Sequence, residues 1–90
     1  MLEAALESRC ASLAKQAGSI LLKIQGTKGY PDRVCLCPNG KVFFVEFKRE
    51  GGQLAPLQRF HLSKLRSMGF VAESVDNVDL FKRLLNERLR

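Results

Sequence analysis

Ninety residues carry fifteen Lys and Arg against nine acids, a net charge of +6 that favours a polyanionic partner, nucleic acid or membrane surface, without choosing between them. A chain this short is expected to form one domain over residues 1–90, with a core small enough to be marginal as a monomer. No apolar run approaches the roughly 20 residues of a bilayer span, and the start, MLEAALESRC, has acids where a signal peptide needs a basic, then apolar, stretch; the expected location is intracellular, in the cytoplasm or in a host cell's cytoplasm if the source is viral.

Residues 2–17 read as a helix, with Leu2, Ala5, Leu6, Cys10, Leu13 and Ala17 at helical spacing and Gly18 as the left-handed residue past its end. A short strand follows over 19–25, where Ile20, Leu22 and Ile24 alternate with less apolar neighbours. GTKGYPD is a loop, punctuated by two glycines and a proline. RVCLC and KVFFVEFK are β-prone runs joined by Pro-Asn-Gly, and Asn-Gly between two such runs predicts a hairpin. REGGQLA ends the sheet pattern, and Pro56 suits the first turn of a helix reaching about Met68, with Leu57, Phe60, Leu62, Leu65 and Met68 as its apolar stripe. Residues 70–74 form a fourth strand, and Asp76 or Asn77 caps a last helix bearing Val78, Phe81, Leu84, Leu85 and Leu89. The order αβββαβα implies a sheet with helices packed against it, α/β or α+β in class. Cys35 and Cys37, two apart on one strand, cannot readily close a disulfide. With Cys10 and a single histidine, they read as buried, reduced thiols.

Three charges interrupt the most sheet-like stretch. Alternation puts Val42, Phe44, Glu46 and Lys48 on one face of their strand and Phe43, Val45 and Phe47 on the other. Glu46 and Lys48 are then neighbours along one face, and the hairpin returns Asp32 to the same end of the sheet. Two carboxylates and an ammonium at one point suit a hard cation such as Mg²⁺, which can hold a scissile phosphate and acidify a water. A lysine there can orient that water or offset charge on the phosphate. The plainer alternative is a Glu46–Lys48 ion pair with Asp32 in a solvated turn, which would stabilise the strand by only about 0–1 kcal/mol.

Pro31-Asp32…Glu46-Phe47-Lys48 resembles the PD-(D/E)XK nuclease signature. More narrowly, GYPDRV, FFVEFKREGG and LAPLQ resemble the VRR-NUC domain, whose pattern is G-x-P-D, E-x-K and a downstream P-L-Q. The resemblance runs from the first helix through the fourth strand. It implies an α/β fold of the PD-(D/E)XK, restriction-endonuclease-like kind: an αβββαβ(α) core with a central mixed sheet flanked by helices. It also implies Asp32, Glu46 and the Phe47 backbone carbonyl as ligands of Mg²⁺ or Mn²⁺, Lys48 as the catalytic lysine, and Gln58 beside the site. A glutamate of the first helix completes the cluster in that family. Glu3 and Glu7 are both candidates, one turn apart on one face; Glu7 is preferred for its distance from Gly18, with Glu3 in a supporting position. Ala55 departs from the family, which has a capping Ser or Thr before the proline.

His61 reads as a helix surface residue, and Tyr30 as packing beside its loop. Lys28, Arg33, Arg49 and Arg59 surround the constellation in sequence and are the first choices for phosphate contacts, which position a duplex without reading its bases. The resemblance implies a divalent-metal-dependent DNA endonuclease, a homodimer acting on branched DNA such as a four-way (Holliday) junction, with a role in DNA repair. The alternatives are a flap or nicking nuclease, or a non-catalytic nucleic-acid-binding module that keeps the fold.

Overall fold

A computed structural model describes residues 1–90, and its sheet grows from the Pro-Asn-Gly turn. Strand β2 (Arg33–Leu36) runs into one 3₁₀ turn over Pro38–Gly40 and returns as β3 (Val42–Phe47). The Cys37 N–H donates to the Lys41 carbonyl at 2.7 Å. Between them Asn39 (φ 64°) and Gly40 (φ 72°) are both left-handed, the conformation that Gly adopts freely and a short polar side chain tolerates. Arg33 pairs with Val45 and Leu36 with Val42. One step beyond Arg33, this register sets Asp32 opposite Glu46.

Helix α1 (Glu3–Gln16) and strand β1 (Ile20–Lys23) precede the hairpin, while α2 (Pro56–Ser67), β4 (Ala72–Val75) and α3 (Val78–Arg88) follow it. The sheet order is β1-β2-β3-β4, antiparallel except for the parallel β3–β4 pair that α2 connects. This is the mixed, helix-flanked α/β sheet expected. Helices α1 and α3 cover one face, where Leu6, Cys10, Ala14, Phe81, Leu84 and Leu85 bury Cys35, Phe43, Val45, Phe47 and Val75. Burial pushes the thiols of Cys10 and Cys35 up to about 12, so they stay protonated at neutral pH and behave as small apolar groups.

The opposite face is only half covered. Helix α2 packs there through Leu62 and Leu65 onto Ala72, Phe44 and Leu54. Leu57, Phe60 and Met68, expected on its apolar stripe, remain exposed, because the helix lies toward the β4 side of the sheet. Ile20 and Leu22 are likewise exposed at 57% and 44%; on β1 it is Leu21 that turns toward the main core. Strand β4 starts two residues later than expected. Its predecessor Phe70 is occupied in closing α2, with its N–H donating to the Leu65 carbonyl at 3.1 Å. Asn77 caps α3, its Oδ1 accepting from the Leu80 N–H at 2.8 Å.

Gly29 fixes the loop that leads into β2. It has φ +82°, and a Cβ there would stand 2.5 Å from Leu57 Cγ and 3.0 Å from the His61 ring. No L side chain fits, and the close approach holds the Gly-Tyr-Pro-Asp segment against α2. The same contact explains the stacking of Tyr30 on His61, with ring centroids 3.8 Å apart. Gly29→Ala is expected to destabilise the fold by about 1–3 kcal/mol, read as a lower urea midpoint.

Candidate active site

The end of the sheet gathers four carboxylates from three elements. Glu3 and Glu7 lie one turn apart on α1, whose neighbouring face is buried through Leu6, Cys10 and Ala14. Asp32 enters from the loop before β2, with its carbonyl accepting from the Ile24 N–H at 2.9 Å and its Oδ1 from the Phe47 N–H at 3.3 Å. The second contact ties the acid to β3 at the residue whose carbonyl is an expected ligand. One carboxylate oxygen from each of Glu3, Glu7 and Asp32 lies within 4.8 Å of the others. Glu46 is not part of that trio but faces Asp32 across the hairpin, only 5% exposed.

These acids crowd one another. Burial raises Asp32 above its ordinary value; the Phe47 N–H and Arg33 pull it down, while Glu7 and Glu3 push it up. Glu46 is raised to about 7, first by burial, then by the charge of Asp32; Lys48 opposes the rise and the two α1 glutamates add to it. A negatively charged, partly dehydrated oxygen cluster is the donor set that hard divalent cations take, so the residues present fit a Mg²⁺ or Mn²⁺ ion. Lys48 is half-buried and takes part in neither of the molecule's two ion pairs, so the plain Glu46–Lys48 bridge is not formed.

Arg33, expected among the phosphate contacts, is turned inward. Its guanidinium pairs with Glu7 Oε2 at 2.8 Å and donates to the Asp32 carbonyl at 2.9 Å. It links α1 to the start of β2 and offsets part of the negative charge. Gln58 is engaged locally as well: its Oε1 accepts the Ala55 N–H at 2.8 Å. That is half of a capping box, since Ala55 has no oxygen to answer it. Lys28, Arg49 and Arg59 are exposed. Sequence reasoning missed the inward role of Arg33 and the Tyr30–His61 stack; the only signal for the stack was the glycine before Tyr30, which lets the loop approach α2.

The family model of the VRR-NUC domain matches residues 1–79. The chain belongs to the VRR-NUC family. "Putative nuclease p44" of Acyrthosiphon pisum secondary endosymbiont phage 1 is 34% identical over 80 residues, 87% of this chain and 86% of that protein. A solved structure described as a VRR_NUC domain superposes with a TM-score of 0.83 over 96% of both chains; at 22% identity it speaks to the fold alone. Family and phage relative together support a nuclease. No helix is long and apolar enough to cross a membrane.

The raised acids make stability depend on pH in the metal-free VRR-NUC chain. Folding lifts Glu46 from 4.5 to about 7, so the folded chain holds this proton more tightly than the unfolded one. Stability is then full below about 4.5 and falls as pH rises through about 7; Asp32, also raised, adds in the same sense from lower pH. Urea unfolding in EDTA is expected to show a loss of about 2–3 kcal/mol across this window, and Glu46→Gln should remove most of the slope.

Proposed function

We propose that this chain is a Mg²⁺- or Mn²⁺-dependent DNA endonuclease that cuts branched DNA as a homodimer. The observation that carries the chemistry is the crowding of Glu3, Glu7, Asp32 and Glu46 beside an ammonium with no partner of its own. Asp32, Glu46, the Phe47 carbonyl and Glu7 would hold the ion, and the position of Glu3 within the acidic trio supports giving it a share. When bound, the cation supplies Lewis-acid polarisation of the phosphate and lowers the pKa of a water. The chain's own residues do the rest. The Phe47 N–H keeps Asp32 in place, and Arg33 keeps Glu7 from swinging away. Hydrolysis forms one phosphorus–oxygen bond from water and breaks another. The Lys48 ammonium orients that water or meets the charge that builds on the phosphate oxygens. Gln58, accepting the Ala55 N–H, fixes the start of α2. Lys28, Arg49 and Arg59, exposed on the surface, supply backbone contacts.

The uncovered half of the sheet supports the dimer. Ile20 stands beside Leu36 and Leu22 beside Val34 on paired strands, and Ile20, Leu22 and Leu36 are exposed at 57%, 44% and 37%. Contiguous apolar surface of this kind marks an interaction site, and a two-fold pair of active sites suits the two strands of a four-way junction.

Labelled four-way junctions, flaps, nicked duplex and linear duplex should be incubated with and without Mg²⁺. The junction is expected to be cut only with the ion and faster than the others. Asp32→Ala and Lys48→Ala are each expected to lose at least about 10²–10³-fold in rate. Preference for a flap or nick would shift the substrate, and binding without cleavage under any divalent ion would leave a non-catalytic binding module. Light scattering should give a dimer for the wild-type chain and a monomer for Leu22→Asp.

A further inference from the structure

A cavity of about 290 Å³ opens on the α2 side of the sheet, lined by Ile24, Thr27, Tyr30, Pro31, Phe44 and Leu65. Its wall reaches the residues next to the acids: Pro31 precedes Asp32 in the chain, and Phe44 lies two residues before Glu46 on the same face of β3. One wall is rigid: Tyr30 is stacked on His61 at 3.8 Å with an interplanar angle of 21°, and His61 in turn meets the edge of Phe60. Gly29 locks this arrangement, since any side chain there would drive the loop off Leu57 and His61. The lining holds no charged residue, and its surface is almost entirely apolar. Lys28 is exposed on the same loop, and Lys64, next to Leu65 of the lining and three residues after His61, is exposed on α2.

An apolar recess with an aromatic wall, lysines on the adjoining segments and a nuclease centre beside it suits a flat, uncharged ring attached to a phosphate chain. At the lower end of the size range of ligand pockets, it has room for one ring system rather than a helix or a strand. A paired base inside a continuous duplex cannot reach it, whereas a base at a branch can, either already unpaired as in a flap or opened from its pair at a junction where the stack is interrupted. We propose that this cavity holds one unpaired nucleobase at the branch point, stacked against Tyr30, with the adjoining phosphates on Lys28 and Lys64. This rests on the DNA-nuclease reading above and gives it a structural source of branch selectivity. Because the walls offer little hydrogen bonding, the recess accepts any base, as stacking platforms do.

The test uses the full chain carrying Asp32→Asn, chosen so that cutting is expected to be lost while binding is kept. A branched DNA has 2-aminopurine as its first unpaired nucleotide, and a control duplex has it paired. The emission at the branch is expected to be quenched on binding while that in the duplex is unchanged. Adding Tyr30→Ala, which removes the wall, or Thr27→Leu, which narrows the mouth, should abolish the quenching. Each should weaken branch binding about tenfold, as loss of one base–aromatic stack does, and leave duplex binding as it was. Circular dichroism verifies that both variants fold. Binding of both DNAs with emission unaffected by either variant overturns the base site alone. Binding of neither DNA overturns it together with the nuclease reading. A dimer that dissociates on Thr27→Leu would assign the cavity to a second copy of the chain and also overturn it.

Discussion

The register of β2 on β3 is the constraint on which the rest of the site depends. Its antiparallel pairing, closed by the left-handed Asn39 and Gly40, sets Asp32 opposite Glu46 at the edge of a buried face. A slip of one residue would turn Glu46 to the other side, into the core that Phe43, Val45 and Phe47 fill, and carry those side chains onto the half-covered face. The hydrophobic face therefore enforces the position of the acids. Burial then raises Glu46, and the nearby Asp32 raises it further. The same packing that specifies the strand leaves its end with negative charge that a cation or a proton must answer.

The elements around the hairpin divide the remaining work between the sheet's two faces. On the α1–α3 face the larger core fixes α1, so that Glu3 and Glu7 come to Asp32. The half-buried Arg33–Glu7 pair bridges α1 and β2, with side-chain exposures of 16% and 23%. Removing one partner of such a pair costs more than forming the pair gains, because the other charge is left poorly solvated. On the α2 face a smaller core of Leu62, Leu65 and Ala72 covers only part of the sheet. What it leaves open differs along its length: an exposed apolar surface on β1 and β2, and a recess beside the loop of Tyr30 and Pro31. The acidic cluster lies where the two faces meet.

Local patterns were enough for the hairpin, because its contacts join residues close in the chain and the two-residue alternation of a strand is rigid. The positions of α1 and α3 followed from helical spacing and from capping signals such as Asn77, although the first strand's exposed face did not. Ile20 and Leu22 alternate as core residues would, and whether a strand's apolar face is covered depends on where a distant helix comes to rest. Arg33 shows the same limit: it has the chemistry for a phosphate contact, and it is engaged instead by Glu7, 26 residues away in the chain, which only the folded chain brings within reach.

The sequence by itself determined the strand order around the Asn-Gly turn, the pairing of Asp32 with Glu46, and the family to which those motifs belong. All of these rest on short-range spacing and residue chemistry. Only the tertiary structure decided that Glu3 joins Glu7 and Asp32, that Arg33 turns inward, that half of one sheet face stays bare, and that Tyr30 stacks on His61 to wall a cavity. Those outcomes depend on how helices distant in sequence are rotated and seated on the sheet. That is set by the sum of many weak packing contacts and leaves no local periodic signal.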